Sequence, residues 1–372
     1  MNQPQLTASR LELAATCSGA FAHEHVETTS EAAERGTQIH EYIAALLEED
    51  ECLLPPDEKT AALCQSLDTQ ELRDAASPNP YSTRYTEQGL YLSPTSSGSK
   101  NAGLLEADYH RDYSGAPEGA LPGTADVVAV EEARVTVTDW KTGSREASDP
   151  AENYQLRFLG LAAARSFGKD EATVQIGAIR TDGSVELRSA TLDAEDLRQI
   201  EEELARIARR VDEARAGAPV YRMGSHCRYC PALPHCPAVS GAAQSIMDGP
   251  PEELTPKRAA QIWEQLQGVE AAAKRAREAL QEYVYARPIP TTEGRQLKVV
   301  ETRRENIDSS KAFAILREYL PDDDIIAHAV SVTKTSLSGA VDKEAQREII
   351  AVFKEAGAVN ETYSESLREV RQ

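Results

Sequence analysis

The stretch from Gly123 to Lys141 constrains this chain most. Gly123-Thr-Ala-Asp-Val-Val-Ala-Val130 carries one apolar run, and Val135-Thr-Val-Thr-Asp-Trp-Lys141 alternates valine with threonine. The short connection Glu131-Glu-Ala-Arg134 separates them. This pattern predicts a β-hairpin. Paired strands lie about 4.8 Å apart, so Asp126 near the start of one strand and Asp139 near the end of the other can meet. Lys141 follows Asp139 by two positions and therefore shares its face. Two carboxylates and an ammonium on one edge suit a hard divalent cation holding a phosphate. Taken alone, an Asp-x-Lys at a strand end is more often a solvated charge pair, so the flanking sequence has to decide.

Upstream, Arg35-Gly-Thr-Gln-Ile-His40 lies on a predicted helix with Ile39, Ile43, Leu46 and Leu47 as its apolar stripe and Ser30 as its N-cap. Downstream, Asn153-Tyr-Gln155-Leu156 opens a helix predicted over 151–167 and ended by Gly168. In this order the segments resemble the PD-(D/E)XK nucleases of the RecB type. Arg35–His40 is similar to their G-x-x-x-H helix, Gly123–Asp126 to their G-x-x-D strand, Asp139–Gly143 to their D-x-K-T-G, and Gln155 to the Gln of the next helix. The resemblance covers roughly residues 5–240. It implies an α/β fold with a mixed central sheet flanked by helices, a restriction-endonuclease-like core. It also implies a Mg²⁺- or Mn²⁺-dependent deoxyribonuclease, most simply an exonuclease. On this reading Asp126 and Asp139 hold the cation and His40 completes the metal or phosphate shell. Lys141 orients or deprotonates the attacking water, and Gln155 positions Lys141. Glu106, on a predicted first strand at Leu104–Tyr109, is a candidate third carboxylate and shares its face with Asp108. The family often has Tyr four residues after the Gln, and here that position is Leu159. This departure favours the alternative of a catalytically weak or inactive DNA-binding recombination accessory protein on the same fold.

Three of the six cysteines cluster as Cys227-Arg-Tyr-Cys230-Pro-Ala-Leu-Pro-His-Cys236, and Cys17 lies far upstream. The spacing alone fits structural zinc or a [4Fe–4S] cluster equally. Iron–sulfur members of the RecB-like group, including CRISPR-associated exonucleases and AddB, place one Cys before the nuclease core and three after it. The resemblance therefore implies a [4Fe–4S] centre on Cys17, Cys227, Cys230 and Cys236, with zinc as the alternative. Cys52 and Cys64 fall outside this pattern and read as small buried hydrophobes.

Periodicity and breakers organise the rest of the chain. Residues 5–22 predict a short helix carrying Cys17, 57–75 another helix, and 93–101 a solvated loop. A hairpin is predicted around Asp182-Gly183, with strands at 173–179 and 185–187. A long amphipathic helix is predicted over 194–216, with Leu197, Ile200, Leu204, Ile207 and Val211 as its stripe. Past about residue 240 the chain predicts a helical linker (241–290, its helix over 255–286) and a small α+β domain (291–372). In that domain strands at 295–301 and 329–334 flank a helix at 309–320. The helix over 255–286 is open to two readings, half of a coiled coil or a layer packed on the first domain. The formal net charge is −21. That opposes long-range steering toward nucleic acid, so DNA binding requires a local basic groove or bound metal. No apolar run reaches the length of a membrane span and the N-terminus lacks a signal-peptide pattern, so the expected setting is the cytoplasm of a bacterium or a phage-infected host. No P-loop is present, which leaves any motor to a recombination or helicase partner protein.

Overall fold

The computed structural model describes residues 4–26, 31–50, 53–67, 69–77, 79, 81–93, 102–105, 113–142, 149–180, 182–247, 255–290, 296–299, 347–348 and 351. The chain divides into two compact units, Met1–Arg287 and Pro288–Gln372. In the second unit the described structure is a two-stranded pairing of Ile289–Pro290 with Gln296–Leu297. The helix and strand expected at 309–320 and 329–334 lie outside the described residues.

The first unit is an α/β fold with a mixed six-stranded sheet. In chain order its helices are α1 (Leu11–Thr16), α2 (Glu31–Glu48), α3 (Glu58–Ser66), α4 (Thr69–Ala76), α5 (Tyr154–Ser166), α6 (Ala194–Arg215), α7 (Pro237–Met247) and α8 (Pro256–Ala286). Its strands are β1 (Thr83–Leu92), β2 (Ala102–Leu104), β3 (Leu121–Val130), β4 (Val135–Lys141), β5 (Ala172–Ile179) and β6 (Val185–Leu192). They lie in the order β2-β1-β3-β4-β5-β6. Every pairing is antiparallel except β4 with β5. That parallel step needs a crossover, which α5 supplies.

Helices cover both faces of the sheet. On one face α1, α5 and α6 bury Leu11, Leu156, Phe158, Leu197 and Leu204 against Leu90, Val128, Val137 and Val174. On the other, α2, α3 and α4 bring Ile39, Ile43, Leu47, Cys64 and Leu72 against Val127, Trp140 and Ile179. Fully burying one such side chain contributes about 1.5–3 kcal/mol, so both faces contribute substantially before chain entropy offsets them.

Local chemistry sets the helix boundaries. Asn153 caps α5 by accepting the Leu156 amide, and the chain leaves that helix through Gly168 at φ 65°. Asp193 and Asp196 form a reciprocal capping box at the start of α6, whose expected stripe is buried throughout. The turn between β5 and β6 places Gly183 at φ 87°, as an Asp-Gly turn requires.

The structure corrects several expectations. The helix of residues 5–22 breaks at Cys17, which leaves the helical region at φ −142°, and continues as a 3₁₀ turn over Ser18–Ala22. The helix expected over 57–75 is two helices, because Leu67 turns extended at ψ 130°. The first sheet strand is Thr83–Leu92 rather than Leu104–Tyr109. Leu104 ends the short edge strand β2, while Glu106 and Asp108 lie outside the described residues. Of the two readings open for the helix over 255–286, packing is the one observed: α8 falls in the first unit and packs against α7 and the Ser225–Tyr229 turn. No described helix is long and apolar enough to cross a membrane.

Candidate active site

Two neighbouring strands reverse their pleat at the same place. On β3, Leu121 and Ala125 belong to the core under α5, as alternation demands, but so does Val128, and Val127 faces the opposite core. On β1, Tyr85 packs toward the α5 side, yet so do Leu90 and Leu92. The β1–β3 pairing keeps one register on either side and skips a single pair, Glu87 and Asp126. Glu87 sits there at φ 44°, a region a residue with a Cβ rarely enters. Such strain persists where the surroundings over-determine it, typically at functional positions. Both carboxylates are buried.

The next strand opens at the same level. The β3–β4 ladder ends at Val127 opposite Thr138, one residue short of Asp126 and Asp139. β4 itself stays paired with β5 as far as Lys141. In the opening, Asp126 Oδ2 accepts the Trp140 amide N–H at 2.7 Å, which fixes the two strand ends together. The expected meeting of Asp126 and Asp139 is therefore present.

Side chains from both helical layers converge on this opening. From α2, His40 Nδ1 lies 3.3 Å from Asp126 Oδ1. From the start of α5, Gln155 Nε2 donates to Asp139 Oδ1 at 3.1 Å. Lys141 Nζ is 2.6 Å from Asp139 Oδ2, and the lysine side chain is 42% exposed. Gln155 thus acts on Lys141 through the shared carboxylate, a refinement of the direct hydrogen bond expected from the sequence. Leu159, at the position where Tyr is expected, is fully buried against Phe158 and the Gly123 backbone and brings no hydroxyl to the site.

The electrostatics separate the two aspartates. Burial opposes ionisation of Asp126, but the His40 charge, the Trp140 amide and Lys141 outweigh it and hold its pKa below the usual carboxylate range. Asp139 is pushed upward by burial and by the neighbouring Asp126 charge, against the pull of Lys141. Burial also works against a charged His40, yet Asp126, Asp139 and Glu87 together raise its pKa above the ordinary histidine value. Two carboxylates in different environments with shifts of opposite sign are the arrangement acid–base chemistry uses.

His40, Glu87 and Asp126 offer ligand atoms that all lie within 4.8 Å of one another. Among the described residues no other set of three or more His, Cys, Asp or Glu side chains does so. His40 Nδ1 is buried and faces the Asp126 carboxylate at 3.3 Å, and an imidazole nitrogen set among carboxylate oxygens fits a divalent cation. Glu87 is the residue that the sequence did not single out, and Glu106, the third carboxylate expected there, lies outside the described residues. The only signal was an acid set between strand-forming runs, Thr83-Arg-Tyr-Thr86 and Leu90-Tyr-Leu92.

The cysteines converge elsewhere in the same unit. Cys17, Cys227 and Cys230 are buried and Cys236 is half-buried, all as free thiols. Burial raises the Cys227 and Cys230 thiols, Cys230 to about 11, with Cys17 and Cys236 adding in the same direction to both. The N-terminal segment is tied to this loop directly. Gly19 N–H donates to Val220 O at 2.9 Å, the Arg222 amide approaches Cys17 Sγ at 3.5 Å, and His23 Nε2 lies 2.7 Å from the Tyr221 hydroxyl. No three of these sulfurs fall within the 4.8 Å spacing of a single-ion site. Cys64 instead packs in the core under α2, as a small hydrophobe. Cys52 lies outside the described residues.

Fold and site together define an α/β protein with a six-stranded mixed sheet and a buried His–Glu–Asp group at a break in its centre. Residues 6–361 match the sequence model described as "Protein of unknown function (DUF2800)", and the chain belongs to that family. No curated protein matches the chain.

Proposed function

We propose that the protein is a metal-dependent DNA nuclease. The observation that carries this reading is the joint irregularity of β1, β3 and β4, which gathers Glu87, Asp126, Asp139, Lys141 and His40 at one opening. His40, Glu87 and Asp126 are the donors for a divalent cation, with Asp139 beside them. Carboxylates suit Mg²⁺ and Mn²⁺ alike, while the imidazole nitrogen tilts the set toward Mn²⁺. Such a cation, when bound, supplies Lewis acidity toward a phosphodiester and lowers the pKa of water. The chain's own groups do the rest. Lys141 places a positive charge beside Asp139, where it neutralises a phosphate oxygen and orients the attacking water. Asp139, with its raised pKa, is the group suited to take that water's proton. Gln155 holds the Asp139 carboxylate in place.

The four cysteines are the second part of the proposal. Their convergence, and their order of one cysteine before the sheet and three after it, suit a [4Fe–4S] cluster, with structural zinc as the alternative. Its role is structural, closing the N-terminal segment onto the loop after α6. A cytoplasmic setting accords with thiols kept reduced.

The buried Leu159 favours one competing reading, a DNA-binding accessory protein with weak or no cleavage. Purified protein incubated with end-labelled single- and double-stranded DNA and Mn²⁺ separates them. Cleavage that is lost in Asp139→Asn supports the nuclease. Equal, cation-independent binding without product by both proteins supports the accessory role.

A further inference from the structure

The chain holds 61 acidic residues in 372, yet none between Glu213 and Asp248. The charged side chains in that interval, apart from histidines, are Arg215, Arg222 and Arg228. The first turns of α8 continue the bias: Pro256-Lys-Arg258 is followed by no acid until Glu264. The fold brings the two stretches together. α8 lies on the cysteine loop so closely that a Cβ on Gly268 would meet the Met223 side chain at 2.2 Å and Cys227 Sγ at 3.7 Å. Between them is a cleft of about 510 Å³ lined by Tyr221, Arg222, Arg258, Gln261, Glu264 and Gln265, among others. Gln265 Oε1 is buried there without a hydrogen-bond partner. In the same cysteine loop, Tyr229 is 62% exposed, with the Arg228 guanidinium 5.5 Å from its ring centre.

These groups match one ligand chemistry. Two arginines that can fork onto phosphate oxygens flank amides that read polar edges, and an exposed aromatic ring offers a stacking surface. The net charge of −21 does not decide against it. At physiological salt the screening length is about 8 Å, so a strand on this surface responds to the nearby arginines rather than to acids on distant faces. We infer that the cleft between the cysteine loop and α8 binds a single-stranded phosphodiester chain, with Arg222 and Arg258 on its backbone. The surface uses none of the carboxylate-site residues, so it stands whether or not that site cleaves.

The test uses the full chain in EDTA, so that no cleavage intervenes. A fluorescein-labelled single-stranded oligonucleotide, as DNA and as RNA in separate arms, is titrated at several salt concentrations. The double variant Arg222→Ala/Arg258→Ala is expected to bind about tenfold more weakly or worse, with a salt dependence shallower by about one to two units. Arg222→Lys/Arg258→Lys keeps the charge and is expected to keep the wild-type slope. Arg198→Ala, at an exposed arginine on α6, is expected to bind as wild type does. A melting curve like that of the wild type for the double variant excludes misfolding as the cause. No binding by the wild type, an unchanged affinity and slope in the double variant, or an equal loss in Arg198→Ala overturns the inference. Binding lost only in the double variant supports it even if no nuclease activity is found, and a preference between the two arms identifies which strand the surface takes.

Discussion

At the scale of single residues, the site depends on charges held where the fold alone would not place them. Asp139→Asn keeps an acceptor for Gln155 and removes a buried charge whose pKa is raised. Cleavage is expected to fall by about a hundredfold or more, as when one preorganised electrostatic group is removed, while melting stays within a few degrees of wild type. Wild-type cleavage by this variant would refute the assignment. Glu87 allows a sharper separation. Glu87→Gly relieves a φ of 44° that only glycine adopts freely, and is expected to stabilise the metal-free protein by about 1 kcal/mol. The same change removes one of three clustered donors, so the rise in melting temperature on adding Mn²⁺ should shrink. A variant both less stable and equally Mn²⁺-responsive would show that Glu87 is neither strained nor a ligand. His40 sets a pH dependence. Its folded pKa is raised, so its contribution to stability is complete below about pH 6.5, the unfolded value, and is lost as pH rises through the folded one. In EDTA the melting temperature should therefore decline over that window, and His40→Gln should flatten the decline. Mn²⁺ competes with the same proton, so its stabilising effect should grow with pH over the range where wild type alone weakens.

At the scale of elements, close packing explains one glycine of the two motifs and leaves the other open. A Cβ on Gly123 would lie 2.4 Å from Ala8 Cβ and 2.9 Å from the Phe158 ring, because the N-terminal segment and α5 both press on β3 there. Gly123→Ala is expected to cost about 1–3 kcal/mol, measured by denaturant unfolding, since neither neighbour can give way without moving a whole element. Gly36, on α2, has only Thr142 Oγ1 at 3.7 Å from such a Cβ. Gly36→Ala should be neutral or slightly stabilising, as Gly→Ala in a helix is. Legibility also varied by element. The β3–β4 hairpin, α5 and α6 could be read from valine runs, caps and a 3.6-residue stripe, all of which are local signals. β1 could not. Its pleat reverses at Glu87, so strict alternation fails where the strand matters most, and Glu87-Gln-Gly89 resembles a turn in isolation. The split of α3 from α4 escaped for a similar reason, since one extended residue at Leu67 leaves little trace in composition.

At the scale of the whole molecule, Cys17 joins the beginning of the first unit to the loop after α6 across more than 200 residues. Closing so long a loop removes entropy from the unfolded chain, worth up to about 4–5 kcal/mol in the entropic account of cross-links. Cys17→Ala is expected to lose iron content and brown colour and to melt lower, while Cys64→Ala, buried under α2, should retain its iron. Full iron in Cys17→Ala, or iron lost in Cys64→Ala, would overturn the ligand set. By itself the sequence determined the central hairpin, with Asp126 and Asp139 on its two strands, and the pairing of Lys141 with Asp139, because short-range periodicity is converted by strand geometry directly into position. The α/β class and the residues His40 and Gln155 were legible only through the resemblance of the motifs, in their order, to a known family. Only the tertiary structure decided that Glu87 joins them, that α8 lies against the cysteine loop, and that Arg222 and Arg258 line one cleft between them. Those facts depend on which distant segments become neighbours, and that is set by the packing of two cores across one sheet rather than by any local pattern.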